Sequence, residues 1–161
     1  MKATLRTLVV AAVGTVALTA VAQSQSADDQ ARTAYYQGDY AAALRLSLNL
    51  AEQGDVAAQY RLGVMYDKGE GVRENDTEAV KWYRLAAEQG AFEAQEQLAW
   101  KYEEGEGVPQ NYVEAYKWYA LAAAQGIGFA KIARDLLQTN RMTPAQVAEG
   151  QRLAAEWKPK K

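Results

Sequence analysis

Apolar residues recur along the chain at helical spacing. Ala58, Leu62, Gly63 and Tyr66 fall on one face of a predicted helix, and Ala79, Trp82, Tyr83 and Ala86 on one face of a second. No stretch alternates apolar and polar residues as a half-buried strand would. The same two-helix pattern then returns at a fixed offset. Residues 55–90 laid on residues 91–126 agree at 19 of 36 positions. Gln59 meets Gln95, Leu62 meets Leu98, Tyr66 meets Tyr102, and Lys81-Trp82-Tyr83 meets Lys117-Trp118-Tyr119.

The residues between the apolar stretches supply starts and stops. Gly69-Glu70-Gly71-Val72 and its copy at 105–108 form the turn between the two helices, where glycine admits positive φ. Asn75 with Glu78, and Asn111 with Glu114, have the spacing of a capping box. Gly90 and Gly126 stand where a left-handed helix stop belongs. Gly63 lacks a β-carbon and admits a close neighbour; its copy is Ala99, which alters the local packing. The frame extends outward in weaker form, with Ala51-Glu52-Gln53-Gly54 upstream and Ala130 and Ile132 to Leu137 as another first helix downstream. Thr143-Pro144-Ala145-Gln146 starts a last helix, with Val147, Leu153 and Trp157 on its apolar side and Pro159 at its end. One hairpin cannot bury its own apolar face, so the stability of such a chain comes from stacking.

With AAQYRLGVMYDKGEGV and EAVKWYRLAAEQG repeated as EAQEQLAWKYEEGEGV and EAYKWYALAAAQG, the sequence resembles the Sel-1-like repeat (SLR) family, a relative of the tetratricopeptide repeats. The resemblance implies an all-α fold, a right-handed α-α superhelix or solenoid of about four helix-hairpin repeats. The expected organisation is a degenerate repeat at 28–54, full repeats at 55–90 and 91–126, and a partial repeat with a C-terminal capping helix at 127–161. It also implies a scaffold or adaptor role, with first helices lining a concave side that holds a protein or peptide partner. Some bacterial relatives carry a disulfide in each repeat and are described as penicillin-binding or β-lactamase-like. This chain has no Cys, so neither bridge nor activity carries over.

Composition narrows the chemistry further. Without Cys or His there is no disulfide scaffold, no thiolate or imidazole metal site and no Ser-His-Asp triad. No catalytic, cofactor-binding or metal residue is assigned. Lys and Arg total 18 against 20 Asp and Glu, a net charge of −2, which does not suit a nucleic-acid surface. Lys158, Lys160 and Lys161 read as a solubilising end. At the other end, Lys2 and Arg6 precede the uncharged Leu8–Leu18 core and the small-x-small Ala20-Val21-Ala22. This is the layout of a secretory signal peptide over 1–22, followed by a flexible lead-in at 23–27. The expected location is the periplasm or the medium, not as a lipoprotein and with no stable membrane span after cleavage. A retained anchor is the alternative.

Trp82, Trp118, Tyr83 and Tyr119 recur on the inward stripe and are expected in the core. Asp67, Glu70, Glu74, Asp76, Glu103, Glu104 and Glu106 crowd the inter-helix loops and read as a solvated acidic rim. The partner-binding candidates are positions that diverge between copies opposite the core stripe: Tyr60, Arg61 and Val64, and their copies Glu96, Gln97 and Trp100. For Trp100, packing against a neighbouring repeat stands as the equal alternative. The expected protein is a monomer, with self-association as an alternative. A cell-envelope enzyme using a carboxylate pair on peptidoglycan or another polysaccharide is the rival functional class.

Overall fold

The computed structural model describes residues 27–160. The signal-peptide reading of residues 1–22 and most of the lead-in fall outside the described residues. Within them the chain is helical, with no strand. Helix α1 covers 27–36, and it is followed by α2 (Tyr40–Glu52), α3 (Val56–Lys68), α4 (Asp76–Glu88), α5 (Phe92–Glu104), α6 (Tyr112–Ala124), α7 (Gly128–Arg141) and α8 (Pro144–Glu156). Successive helices from α2 to α7 pack on one another, whereas α8 packs chiefly on α6.

The capping chemistry explains most boundaries. Asp55 caps α3 and Asn75 caps α4, each side chain accepting a third-residue backbone N–H. Asn111 caps α6 in the same way. The capping box read for Asn75–Glu78 and Asn111–Glu114 is only half formed. Glu78 and Glu114 turn away to pair with Lys81 and Lys117, one helical turn on. The full reciprocal box occurs at Thr143, whose Oγ1 accepts from Gln146 N while its own N donates to Gln146 Oε1. Helix α8 ends at Glu156, so Trp157 sits in extended backbone (φ −66°, ψ 141°) and is not on the helix face as the sequence suggested.

Two apolar clusters run through the stack. One joins Ala31 of α1, Ala43 and Leu50 of α2, and Ala58, Leu62 and Met65 of α3. The other joins α4 to α7 through Tyr83, Leu98, Tyr116, Trp118, Tyr119 and Leu137, with Val147 and Trp157 packed against it. Tyr83, Tyr119 and Trp118 are buried as expected, but Trp82 is only half-buried. One buried tyrosine also ties each of the two full hairpins: Tyr83 Oη donates to Asp67 at 3.3 Å, and Tyr119 Oη to Glu103 at 2.9 Å. Burial comes first, and the neighbouring carboxylates second, in pushing both phenols well above their ordinary range.

The repeated glycines mark close approaches. A β-carbon on Gly71 (φ +77°) would meet Tyr40 at 2.8 Å, and one on Gly107 (φ +66°) would meet the Asp76 carbonyl oxygen at 2.3 Å. Each loop therefore docks on the start of the preceding hairpin's second helix. At Gly63 a β-carbon would lie 2.4 Å from Tyr83 Cδ1. Helix α4 thus seats its tyrosine ring directly on the α3 backbone. Gly63→Ala is expected to destabilise the protein by about 1–3 kcal/mol through overpacking, measured as a lower urea midpoint with unchanged slope.

Candidate functional site

The first helices of three successive hairpins, α1, α3 and α5, line one groove of about 660 Å3. Its walls include Tyr36 from α1, Tyr60 and Val64 from α3, and Phe92 and Glu93 at the start of α5. Tyr36 is 80% exposed, a large aromatic surface offered to solvent. Tyr60 is half-buried, its ring 5.9 Å from that of Tyr83. Burial, then the charges of Glu93 and Glu96, raises the Tyr60 phenol, so it remains a neutral hydrogen-bonding group at physiological pH.

The six residues singled out from the sequence have different fates. Tyr60 and Val64 line the groove. Glu96 and Gln97 lie half-buried on α5, and Trp100 stands 39% exposed one turn further along. Arg61 touches the groove but is itself buried, with 9% exposure. Its guanidinium donates to Asp28 of α1 at 2.7 Å and to Ser47 of α2 at 3.2 Å. This corrects the reading of Arg61 as a free anchor: it fastens three helices together. The correction has a physical reason, because a buried guanidinium must find a carboxylate, and the degenerate first hairpin supplies one.

One cluster escaped the sequence reading altogether. Lys101 is 1% exposed, and its ammonium lies 2.5 Å from Asp67, 2.6 Å from Asp76 and 3.0 Å from Glu106. Three members of the supposed acidic rim are therefore engaged by one buried cation, linking the end of α3, the start of α4 and the α5–α6 loop. Burial by itself would lower the Lys101 pKa. The hydrogen bonds to Asp67, Asp76 and Glu106 outweigh it and hold the ammonium above the ordinary lysine range. Lys101 occupies the repeat position of Met65, and that apolar counterpart was the available signal of burial. The Lys101 ammonium also lies 4.9 Å from the centre of the Trp100 ring.

Among the described residues no group of three or more Asp or Glu is arranged to hold a metal ion, and no helix is long and apolar enough to cross a membrane. The site is a groove with mixed aromatic and charged walls, built on three helices of a helix-hairpin solenoid.

The family model for the Sel1 repeat matches residues 56–90 and 92–127. The fold resembles that of a protective antigen present in uropathogenic Escherichia coli strains, which displays an SLR fold. Identity there is 30% and the TM-score 0.76, over 81% of this chain and 29% of the antigen. It also resembles a Sel1 repeat protein from Oxalobacter formigenes at 35% identity and a TM-score of 0.65, over 80% of this chain and 54% of that one. The chain thus spans about a third and about half of these two structures. Comparison with curated proteins gives no match. With two matched repeats and this fold, the chain is a Sel1-like repeat protein. Such repeats generally serve as scaffolds for protein–protein interaction.

Lys101→Met keeps the volume but strands three carboxylates around an uncharged side chain. It is expected to cost about 3 kcal/mol, at the low end for a broken buried pair because the acids keep partial solvent access. A lysine whose folded pKa is raised gives stability that is fully present below its unfolded value and lost as pH climbs through the folded one. Thermal melts should therefore show a constant gap between wild type and variant at neutral pH, narrowing only above about pH 10.

Proposed function

We propose that this protein is an exported scaffold that holds a protein or peptide partner along the concave side formed by its first helices. The observation that carries this reading is the open groove shared by α1, α3 and α5, with Tyr36, Tyr60 and Phe92 on its walls. Aromatic side chains on rigid helices offer a large contact area at small entropic cost, which favours binding anchors. The residues on this side differ between repeats where the framework residues do not: Tyr60 becomes Glu96, and Val64 becomes Trp100. Divergence there gives each repeat its own contact chemistry on a common frame. In this reading the partner lies across several first helices, and Trp100 continues the surface past the groove.

A photo-crosslinking residue placed at position 100 in cells is expected to trap one partner, and the purified pair then permits calorimetry. Trp100→Ala and Tyr60→Ala should each weaken that complex by about tenfold. The melting temperature should stay nearly unchanged for Trp100→Ala. Unaltered affinity in both variants, or a collapse in stability for Trp100→Ala, would remove the concave side from the function.

The N-terminal pattern of basic, apolar and small residues supports the export part of this reading. Mass spectrometry of the protein from a periplasmic fraction should find a mature chain beginning at Gln23. An intact Met1 terminus in the cytoplasmic fraction would contradict export.

A further inference from the structure

Helix α7 presents a bare apolar row. Phe129, Ile132 and Leu136 are 61%, 59% and 57% exposed, at a spacing that puts them on one helical face. Its inward residues are Ala130 and Leu137. The repeat register says where the row points. Helix α7 starts at Gly128, 36 residues after α5 starts at Phe92, and Ala130 is buried like Ala94 and Ala58 before it. In that register Phe129, Ile132 and Leu136 follow Glu93, Glu96 and Trp100. The row therefore continues the concave side onto the last first-type helix. Because α8 turns away to pack on α6, it leaves this row uncovered.

Helix α5, which stands between α3 and α7 in the repeat order, carries Glu93 on the groove wall and Glu96 further along it. Neither carboxylate has an ion-pair or hydrogen-bond partner among the described residues. This contrasts with Asp67, Asp76 and Glu106, which share Lys101. Burial, and then the charge of Glu93, already raises the Glu96 carboxyl above its ordinary range. An incoming cation would relieve that repulsion, whereas an incoming anion would add to it. A ligand crossing from the groove to α7 thus meets two negative charges and then four apolar side chains.

We propose that the concave side takes a peptide segment in which a lysine or arginine is flanked by large apolar residues. The basic group sits on Glu93 and Glu96, and the apolar side chains sit on Trp100, Phe129, Ile132 and Leu136. This rests on the scaffold reading and supplies the chemistry of its partner. Complementary charge favours this occupant, and the apolar row supplies the contact area.

The test is selection of a displayed library of random short peptides on the purified protein, with the enriched sequences compared among variants. Wild type should enrich peptides carrying a basic residue beside apolar ones. Replacing that residue by glutamate in a synthetic copy should weaken binding by about tenfold. The Glu93→Gln/Glu96→Gln pair should lose the basic preference and keep the apolar one. The Ile132→Ser/Leu136→Ser pair should weaken all the enriched peptides while its melting temperature holds. Enrichment of apolar peptides with no basic excess would overturn the charge assignment and leave the scaffold reading standing. If no peptide is enriched and the protein forms a dimer that the α7 pair abolishes, the row is a self-association face and the proposal fails. If crosslinking from position 100 also finds no partner, the scaffold reading fails with it.

Discussion

A buried amide must be satisfied on both its nitrogen and its oxygen, and that requirement sets the geometry at each hairpin junction. Gln59 and Gln95 are 4% and 0% exposed. Each donates from Nε2 to the last turn of the preceding second-type helix, at Ala51 and Ala87, both at 3.2 Å. Each accepts on Oε1 from the glutamine that ends the next second-type helix, Gln89 at 2.8 Å and Gln125 at 2.9 Å. Those end glutamines donate in turn to the Gly54 and Gly90 carbonyls. One residue inserted between the rungs would leave a buried amide unmet, a cost of about 1–3 kcal/mol at each failed group. The ladder therefore fixes the period as firmly as the apolar packing does. In α7 the rung position is held by exposed Lys131, and there the regular array stops.

The repeat was legible because its framework residues are chemically unforgiving. Gly71 and Gly107 must admit a neighbouring backbone, Gln59 and Gln95 must complete the ladder, and Tyr83 and Tyr119 must reach a carboxylate one helix back. Such positions stay identical between copies, so a fixed offset reveals them. What escaped depends on partners distant in sequence. Arg61 varies between copies and read as a surface residue, since nothing local indicates that Asp28 waits on α1. Lys101 carried no local mark of burial, since the three acids that hold it come from α3, α4 and the α5–α6 loop. Ile132 and Leu136 belong to the stretch read as another first helix, and their exposure was not legible from that pattern. They are exposed because Gly150 lets α8 approach Tyr116 of α6, where a β-carbon would lie 2.7 Å from the ring, and α8 is thereby committed to that helix.

The same contrast divides the molecule by face. Residues between the helices largely repeat and most of their buried polar groups meet a partner, the Trp118 Nε1 being the exception among the described residues. Residues along the inner side differ from hairpin to hairpin and leave aromatic, acidic and apolar groups facing outward. Nearest-neighbour stacking favours this separation, since a substitution on one hairpin acts mainly on the hairpins beside it. Binding chemistry can then change repeat by repeat without loss of the frame.

The C-terminal segment departs from nearest-neighbour stacking. Trp157 lies edge-on to Trp118 of α6 at 6.3 Å, and the backbone N–H and ammonium of Lys160 both bond Glu88 of α4 at 2.7 Å. The ammonium also sits at the negative end of the α4 dipole. These few residues strap the last helix to a hairpin 72 positions upstream. A pull on the C-terminus is therefore shared at once by α4 and α6, and the array cannot unravel there one helix at a time. At the other end of the described residues α1 is held by Ala31 in the core, by the Arg61–Asp28 pair, and by Tyr35, whose Oη donates to Glu70 at 2.6 Å and whose ring meets that of Tyr40.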